Sequence, residues 1–391
     1  MASSSFSLYP SLTLVAFLLL LFPVRRTAGG CYTSIFSFGD SITDTGNLLL
    51  SNGDNCLSGR LPYGETFFGR PTGRFSDGRL IIDFIAEAMG IPFLPPSLRG
   101  GDCGGFRRGV NFAVAGATVL KNGFFRERGF DVTWTNMSLG VQIGRFKKLI
   151  SFCDTERKDI FSRSLFLVGE IGGNDYYQGF LQNWSFQEVK SLVPLVINKI
   201  SMAINDLIDM GAKTLLVPGN FPIGCMAAFL TYYENSKVED YNTSTGCINW
   251  LNEFSEYHNN VLKQELNRLR YTHPDATIIY ADYFNVVMNI LSPANSTRLE
   301  RVPLAACCGS GGGRYNYGKS VNCGSENSTV CDDPSTYLSW DGLHFTEATY
   351  KAIAKGILEG PFADPSINKA CSSSNIGSVV KELAINVSKE E

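Results

Sequence analysis

Residues 35–41 read Ile-Phe-Ser-Phe-Gly-Asp-Ser, an apolar run that ends abruptly in a glycine, an acid and a serine. A short continuous apolar run is typical of a strand that is buried on both faces of a parallel sheet. The turn-forming sequence Ile42–Asn47 follows directly. Open α/β sheets bind ligands at the carboxyl ends of their strands, so this stretch predicts that the hydroxyl of Ser41 is delivered to such a site.

A serine nucleophile needs a base, and histidine is the side chain that titrates near neutral pH. The chain has three histidines, of which His344 follows Asp341 by three residues. In a tight turn this spacing places both side chains on one face, so Asp341 can orient the imidazole toward Ser41. The alternative is that Asp341 simply caps a helix. His258 lies on an apolar helical face and is predicted to be a partly buried packing residue. His273 lies in a turn at the amino end of a predicted strand, away from the expected site.

Two further predicted strand ends carry groups that could stabilise an oxyanion. Residues 111–118 end a strand with small residues around Gly116, which lets backbone N–H groups face a site without obstruction. Residues 169–175 follow another strand and offer the side-chain amide of Asn174. Each segment alone is read as an ordinary turn, but together they match the two or three donors that a tetrahedral oxyanion requires.

Short apolar runs alternate with helical segments along the chain. The predicted strands are Ser34–Phe38, Val110–Val114, Leu165–Gly169, Thr214–Pro218 and Thr277–Ala281. The predicted helices are Asp77–Met89 capped by Ser76, Phe186–Met210 with a kink at Pro194, Asn249–Leu269, and Thr346–Leu358 beginning with a capping Thr. This alternation predicts one α/β domain over residues 31–391, a three-layer α/β/α sandwich with a parallel sheet.

Residues 1–30 are predicted to be a signal peptide. Leu12–Phe22 is an apolar run of the length expected for a signal core, and small residues follow at 27–30. A signal anchor is the alternative, because the first residues lack Lys and Arg whereas Arg25 and Arg26 follow the core. A signal peptide predicts a secreted, extracellular protein, with a vacuole as the alternative.

The cysteines and glycosylation motifs agree with that compartment. All 11 cysteines follow the signal segment, so disulfide bonds are expected, and the odd number leaves at least one thiol free or paired outside the chain. Structural zinc is disfavoured, because Cys307–Cys331 lacks a pair separated by two residues. Six Asn-x-Ser/Thr motifs predict glycosylation at Asn136, Asn183, Asn242, Asn295, Asn327 and Asn386.

Charge and hydropathy exclude some other classes of partner. The net charge is −3 and the basic residues are dispersed, so no nucleic-acid surface is indicated. No second apolar run approaches the length expected of a membrane span, which predicts no stable membrane insertion. Glycine-rich residues 309–314 lack the Lys-Ser/Thr ending of a phosphate loop. No oligomeric state is predicted.

These motifs together resemble the plant members of the GDSL esterase/lipase family, a branch of the SGNH hydrolases. The resemblance runs from about Cys31 to Phe362 and rests on residues 38–47, the Gly116 segment, Gly172–Asp175, Trp340–His344, Arg70–Gly78 and Cys307–Gly309. It implies a flavodoxin-like five-stranded sheet, Ser41 as nucleophile, His344 as general base and then acid, and Asp341 as its orienting partner. It also implies an oxyanion hole made by the Ser41 and Gly116 N–H groups and the Asn174 amide, with no metal or cofactor.

The resemblance implies a carboxylic-ester hydrolase that works through an acyl-serine intermediate. A small-molecule ester is the expected substrate, for example an acetylated plant metabolite. Three alternatives stay open at this point: an acyltransferase with the same triad, a lipase or cell-wall polysaccharide acetylesterase, and a non-catalytic binding protein on a hydrolase scaffold. The last would be marked by loss of Ser41, Gly116, Asn174 or His344, all of which are present.

Overall fold

The computed structural model describes residues 31–101, 106–130, 134–152, 157–182, 184–292, 304–318 and 320–367. Several predicted features lie outside these residues: the signal segment 1–30, Cys103, Cys153, Cys371, and the motifs at Asn183, Asn295 and Asn386.

A six-stranded sheet forms the centre of the fold, in the order β2-β1-β3-β4-β5-β8. The strands are β1 (Ser34–Phe38), β2 (Gly109–Asn111), β3 (Ser164–Val168), β4 (Thr214–Pro218), β5 (Thr277–Ala281), β6 (Cys308–Gly309), β7 (Thr329–Val330) and β8 (Ala363–Asp364). Strands β1 to β5 are parallel, and their order is the flavodoxin-like one, which confirms the predicted fold class. The antiparallel edge strand β8 and the separate β6–β7 ribbon were not predicted.

Burial explains why these strands could be found from sequence. Every residue of β1, β3 and β4 is buried, so their sequences are apolar without alternation. Strand β2 ends at Asn111, three residues before the predicted end. Beyond Asn111 the backbone still bonds to the β1 segment, from Phe112 N to Ser37 O and from Val114 N to Gly39 O, but Ala113 N donates to the Asn111 side-chain oxygen at 2.8 Å.

Eleven helices occur in the part of the chain that the structure describes. They are α1 (Asn47–Asn52), α2 (Ile81–Ala88), α3 (Asn122–Arg126), α4 (Leu139–Ser151), α5 (Arg157–Ser162), α6 (Gly173–Leu181), α7 (Phe186–Asp209), α8 (Ala227–Tyr232), α9 (Asn249–Thr272), α10 (Tyr283–Ile290) and α11 (Glu347–Leu358). Helix α7 contacts α4, α6 and α9 in one layer, and α11 contacts α2 and α10 in a second.

The predicted start of α2 was wrong. Ser76 Oγ accepts from Gly78 N within a turn, and the helix begins only at Ile81. There the Asp83 carboxylate accepts from Leu80 N at 2.9 Å, which satisfies one of the donors that a helix start leaves free. The predicted cap of α11 is confirmed, since Thr346 Oγ1 accepts from Thr349 N.

Helix α7 continues through Pro194 and is long and apolar enough, by length and composition, to cross a membrane. That feature was not expected from the sequence. Half of its most apolar window is buried inside the protein, where α7 packs against α4, α6 and α9. A helix in the core of a protein gives the same apolar signal.

Disulfide bonds hold the long loops. Cys307 pairs with Cys331 and Cys308 with Cys323, which confirms the bonds expected there. Cys225–Cys247 is a third bond among the described residues, and Cys56 is a buried free thiol. Backbone bonds from Cys307 N to Ser339 O and from Cys308 N to Trp340 O tie this loop to the segment that leads into Asp341.

Candidate active site

Strand β1 delivers Ser41 to the carboxyl edge of the sheet. The chain turns at Gly39, whose φ of +154° and neighbours leave no room for a side chain, because a Cβ there would lie 2.9 Å from Glu170 O. Asp40 then begins a tight turn in which Asp44 N donates to Asp40 O at 2.9 Å. Ser41 is 8% exposed and lines a pocket at this edge.

The turn before α11 brings Asp341 and His344 to the same pocket. One Asp341 carboxylate oxygen accepts from the backbone N–H groups of Leu343 and His344, and the other lies 2.7 Å from His344 Nδ1. His344 Nε2 lies 2.8 Å from Ser41 Oγ. An ionised Asp341 accepts a hydrogen bond from Nδ1–H, which leaves Nε2 as the acceptor for the serine hydroxyl.

The surroundings of Asp341 favour its ionised form. Burial by itself raises the pKa of a carboxyl, but the charge of His344 and hydrogen bonds from His344 and Leu343 outweigh it, and the pKa of Asp341 is lowered. The Tyr63 hydroxyl donates a further hydrogen bond, at 2.8 Å, to Asp341 Oδ2, the oxygen that also bonds to His344 Nδ1. Sequence reasoning missed Tyr63, because it lies 278 residues from Asp341 and no local pattern marks it.

The three predicted oxyanion donors border the same pocket. Gly116 has a φ of +76°, and a Cβ there would lie 2.5 Å from the Cβ of Trp134, so only glycine fits. The backbone N–H groups of Ser41 and Gly116 donate to no other backbone group of the described residues. Asn174 Nδ2, at the start of α6, donates to Asp40 Oδ2 at 3.0 Å and to Ala117 O at 3.1 Å.

Buried polar side chains connect these segments. The Asp44 carboxylate accepts from backbone N–H groups of its own turn and from Ala115 N at 2.8 Å, which joins the Ser41 turn to the Gly116 segment. The Gln142 amide bonds to both the N–H and the carbonyl of Gly39. The sequence marked residues 44–47 as a turn block and gave no signal for Gln142, which lies 103 residues from its partner.

The rest of the pocket wall is largely apolar. The sequence near the site motifs suggests seven aromatic residues as candidate pocket walls: Phe38, Phe75, Phe112, Tyr176, Tyr177, Phe221 and Trp340. Three of them, Phe75, Tyr177 and Phe221, line the pocket. The other suggested residues are buried in the core instead and do not line this pocket in the described chain: Phe38, Phe112, Tyr176 and Trp340. Apolar lining residues that sequence reasoning did not name are Ile42, Leu48, Trp134, Ile223, Met226, Phe229 and Leu343.

The other two histidines lie elsewhere. His258 is fully buried on α9, where its Nδ1 lies 2.7 Å from the Tyr176 hydroxyl, and burial lowers its pKa to about 3. His273 follows α9 at the amino end of β5, and its Nε2 lies 2.6 Å from Asn205 Oδ1. His344 is therefore the one histidine within hydrogen-bond distance of Ser41.

Three of the six predicted glycosylation motifs lie within the described residues. Asn136 and Asn327 are exposed and Asn242 is half-buried, so the described glycosylation motifs lie at or near the surface. In the described ranges, no group of three or more His, Cys, Asp or Glu side chains is arranged to hold a metal ion.

Comparison with known proteins identifies the family of this chain. The family model of the GDSL-like lipase/acylhydrolases matches residues 35–357. The chain belongs to this family. A GDSL esterase/lipase of Arabidopsis thaliana is 51% identical over 351 residues, which cover 88% of this chain and 89% of the relative. Another from the same plant is 50% identical over 361 residues, covering 91% and 92%. A Brassica napus protein named sinapine esterase is 49% identical over 346 residues, covering 87% and 88%. This GDSL family member is a serine carboxylesterase that acts on ester bonds.

Proposed function

We propose that this protein is a secreted esterase in which Ser41, His344 and Asp341 act as a catalytic triad that deacylates a small plant metabolite ester. The observation that carries the proposal is the series of hydrogen bonds from Asp341 through His344 to Ser41, with distances of 2.7 and 2.8 Å. A nucleophile bonded to a base that is itself oriented by a carboxylate is the arrangement that activates serine in acyl transfer.

In the acylation step His344 Nε2 takes the proton of Ser41 Oγ as the oxygen bonds to the ester carbonyl carbon. The carbonyl π electrons move to its oxygen and form a tetrahedral oxyanion. As the oxyanion collapses, the carbon–oxygen bond to the alcohol breaks, and His344 gives its proton to the departing alkoxide. Water then repeats the sequence on the acyl-serine, which releases the carboxylic acid and restores the serine hydroxyl.

The N–H groups of Ser41 and Gly116 and the amide of Asn174 are proposed to bind the oxyanion. Their common position at the pocket supports this role. Both hydrogens of Asn174 Nδ2 have acceptors within the protein, so the oxyanion must displace one of them. We propose that Ala117 O is displaced, because the bond to Asp40 is strengthened by the charge of a carboxylate.

The pocket wall supports a small ester with apolar parts. Phe75, Phe221 and Phe229 border the space around Ser41, so an acyl or alcohol group with methyl or aromatic surface would be desolvated there. The relative named sinapine esterase makes sinapine one ester worth testing. Acetyl esters of small metabolites form the class that we favour.

Secretion is proposed on three features. The apolar core of residues 12–22 fits a signal peptide, and the disulfides Cys307–Cys331 and Cys308–Cys323 require an oxidising compartment to persist. The exposed motifs at Asn136 and Asn327 are accessible to glycosylation. Expressing the full chain with a C-terminal tag in plant cells and locating it tests this point, and retention of residues 1–30 in a cytosolic protein would contradict it.

A panel of acetyl, longer-acyl, aromatic and choline esters, assayed on purified protein with and without an added acceptor alcohol, tests the proposed activity. We expect release of free acid from small esters, and loss of that release in Ser41→Ala with the fold retained. Loss of a triad nucleophile costs on the order of 10⁶-fold in kcat. Ser41→Ala turnover above about a hundredth of wild type would refute the assignment, given that expected loss. Transfer of the acyl group to the alcohol in preference to water would identify an acyltransferase instead.

A further inference from the structure

Two buried carboxyl groups lie together beside Ser41. Asp40 precedes the serine, and Glu170 follows β3; both line the pocket, and they are 2% and 4% exposed. The Asp40 backbone N–H donates to the Glu170 carbonyl at 3.3 Å, and the two carboxyl groups lie close enough for the charge of Asp40 to raise the pKa of Glu170. Two adjacent carboxyl groups in a buried site cannot both ionise without strong repulsion, so the pair holds a proton.

The remaining contacts indicate which carboxyl carries the proton. Asp40 Oδ1 accepts from Ile42 N and Asp40 Oδ2 from Asn174 Nδ2, both at 3.0 Å, so Asp40 receives two donors. Glu170 receives one, from Gly173 N at 3.3 Å. Donors stabilise the ionised form of a carboxyl, so Asp40 is the anion and Glu170 the acid. Burial raises the pKa of both groups, to about 6 for Asp40 and well above its ordinary value for Glu170, where the charge of Asp40 adds to the effect.

A protonated Glu170 and an ionised Asp40 determine which way the Asn174 amide faces. The carboxylate of Asp40 attracts the amide Nδ2 and would repel its oxygen, so the N–H end faces the pocket edge shared with Ser41. We propose that Glu170 is a positioning residue that is kept neutral in order to hold Asp40 and, through it, Asn174 in the orientation that binds the oxyanion. This inference rests on the proposed function of Asn174.

Ionisation of Glu170 would disturb this arrangement. Two adjacent carboxylates in a buried site repel each other, and the added negative charge would lie beside the oxyanion that forms at Ser41. We therefore expect a loss of kcat at alkaline pH that belongs to Glu170. The titratable groups that interact electrostatically with the pair are Asp175 and Tyr176 from α6, Tyr283 from α10, Tyr350 from α11, and Asp44 and His344 beside Asp40.

The test compares Glu170→Gln with Glu170→Ala in the full-length enzyme. Glutamine keeps the size of the acid, can donate to Asp40 and accept from Gly173 N, and cannot ionise. We expect Glu170→Ala to lower kcat about tenfold or more, with KM little changed. This decrease in kcat should be smaller than the decrease caused by deleting an oxyanion donor. Glu170→Gln should recover most of that loss.

The pH profile separates positioning from a purely structural role. Beyond the ionisation of Glu170 the wild-type kcat should fall about tenfold per pH unit, and Glu170→Gln should lack this fall. Asp175→Asn is the matched control, because Asp175 is a fully buried acid nearby whose carboxylate accepts from Val119 N and Leu120 N. That variant should retain the alkaline fall.

Three results would overturn the inference: a Glu170→Gln enzyme as impaired as Glu170→Ala, a wild-type kcat without an alkaline fall, or a fall that Asp175→Asn removes and Glu170→Gln does not. Thermal unfolding of each variant identifies loss of fold, and Glu170→Gln keeps the test valid if Glu170→Ala does not fold. An active Ser41→Ala enzyme would refute the proposed function instead, which keeps the two failures distinct.

Discussion

The regions around His344 and His258 place the same side chain in nearly equal burial, 9% and 1% exposed, with opposite consequences. His344 lies in a turn between a carboxylate and a serine hydroxyl. His258 lies within a helix and is bonded to the neutral Tyr176 hydroxyl, and burial lowers its pKa to about 3. A positive charge on the imidazole would be compensated by an adjacent carboxylate at His344, whereas His258 has only a neutral hydroxyl as its hydrogen-bond partner.

Replacing each histidine in turn tests the difference between His344 and His258 most directly. His344→Ala should lower kcat by about 10⁶-fold, as expected for a triad base, because Ser41 loses its proton acceptor. His258→Asn should retain most of the activity, since His258 lies at Tyr176 and not at Ser41. Steady-state kinetics on both purified variants, with circular dichroism to verify the fold, measures the contrast. An indispensable His258 in a folded protein would refute the triad.

The proposed oxyanion site gives the next largest expected decrease in kcat. Asn174→Ala should lower kcat by about 10²–10³-fold with little change in KM, because the amide is required by charge that appears only in the transition state. Separate determination of kcat and KM with one acetyl ester checks this prediction. An increase in KM alone would make Asn174 a substrate-binding residue.

The disulfides distinguish how the two histidine regions are held. Cys307 and Cys308 bond to the backbone of Ser339 and Trp340, next to the Asp341 turn, whereas His258 is held by its own helix. Replacing Cys308 and Cys323 by serine opens a loop with a sequence separation of 15 residues. The chain-entropy model gives a cost of about 3 kcal/mol in the free energy of unfolding.

Urea unfolding of the double variant measures that cost, and activity in the absence of urea should fall along with it. Leu266→Ala is the matched control, because it removes a similar amount of stability, about 2–5 kcal/mol, from α9, the helix that carries His258, and Leu266 does not line the pocket. Equal loss of activity in both variants would show that the Cys308–Cys323 bond has no particular connection to the His344 region.

The smallest expected effect concerns pH and His258. The folded pKa of about 3 lies below the ordinary value of 6.5, so the unfolded chain binds a proton between these values that the native protein does not. The contribution of neutral His258 to the free energy of unfolding is therefore fully present above pH 6.5. It declines as the pH falls toward 3, by at most about 1.4 kcal/mol per pH unit. Urea unfolding at pH 7.5, 6.0 and 5.0 should show a shallower decline for His258→Asn than for wild type. Parallel declines would contradict a neutral buried His258.

The sequence alone determined the fold class and the residues that could meet. Strands buried on both faces read as apolar runs, so β1, β4 and β5 were predicted with their observed bounds. Because the carboxyl ends of parallel strands meet at one edge of a sheet, the segments after β1, β2 and β3 had to lie close together. The spacing of Asp341 and His344 is local, and local spacing is visible in a sequence.

The hydrogen bonds that hold these groups and the protonation states of the buried ones depend on contacts between residues far apart in the chain, so only the folded structure shows them. Tyr63 reaches Asp341 and Gln142 reaches Gly39 across 278 and 103 residues, which no local pattern could indicate. The expected start of α2 was wrong because the Asp83 side chain bonds the N–H of Leu80 just before the helix, whereas Ser76 bonds Gly78 N within a turn. The protonation of Glu170 and the neutrality of His258 follow from burial, since the energy of a charge depends on the groups and solvent around it and not on its neighbours in the chain.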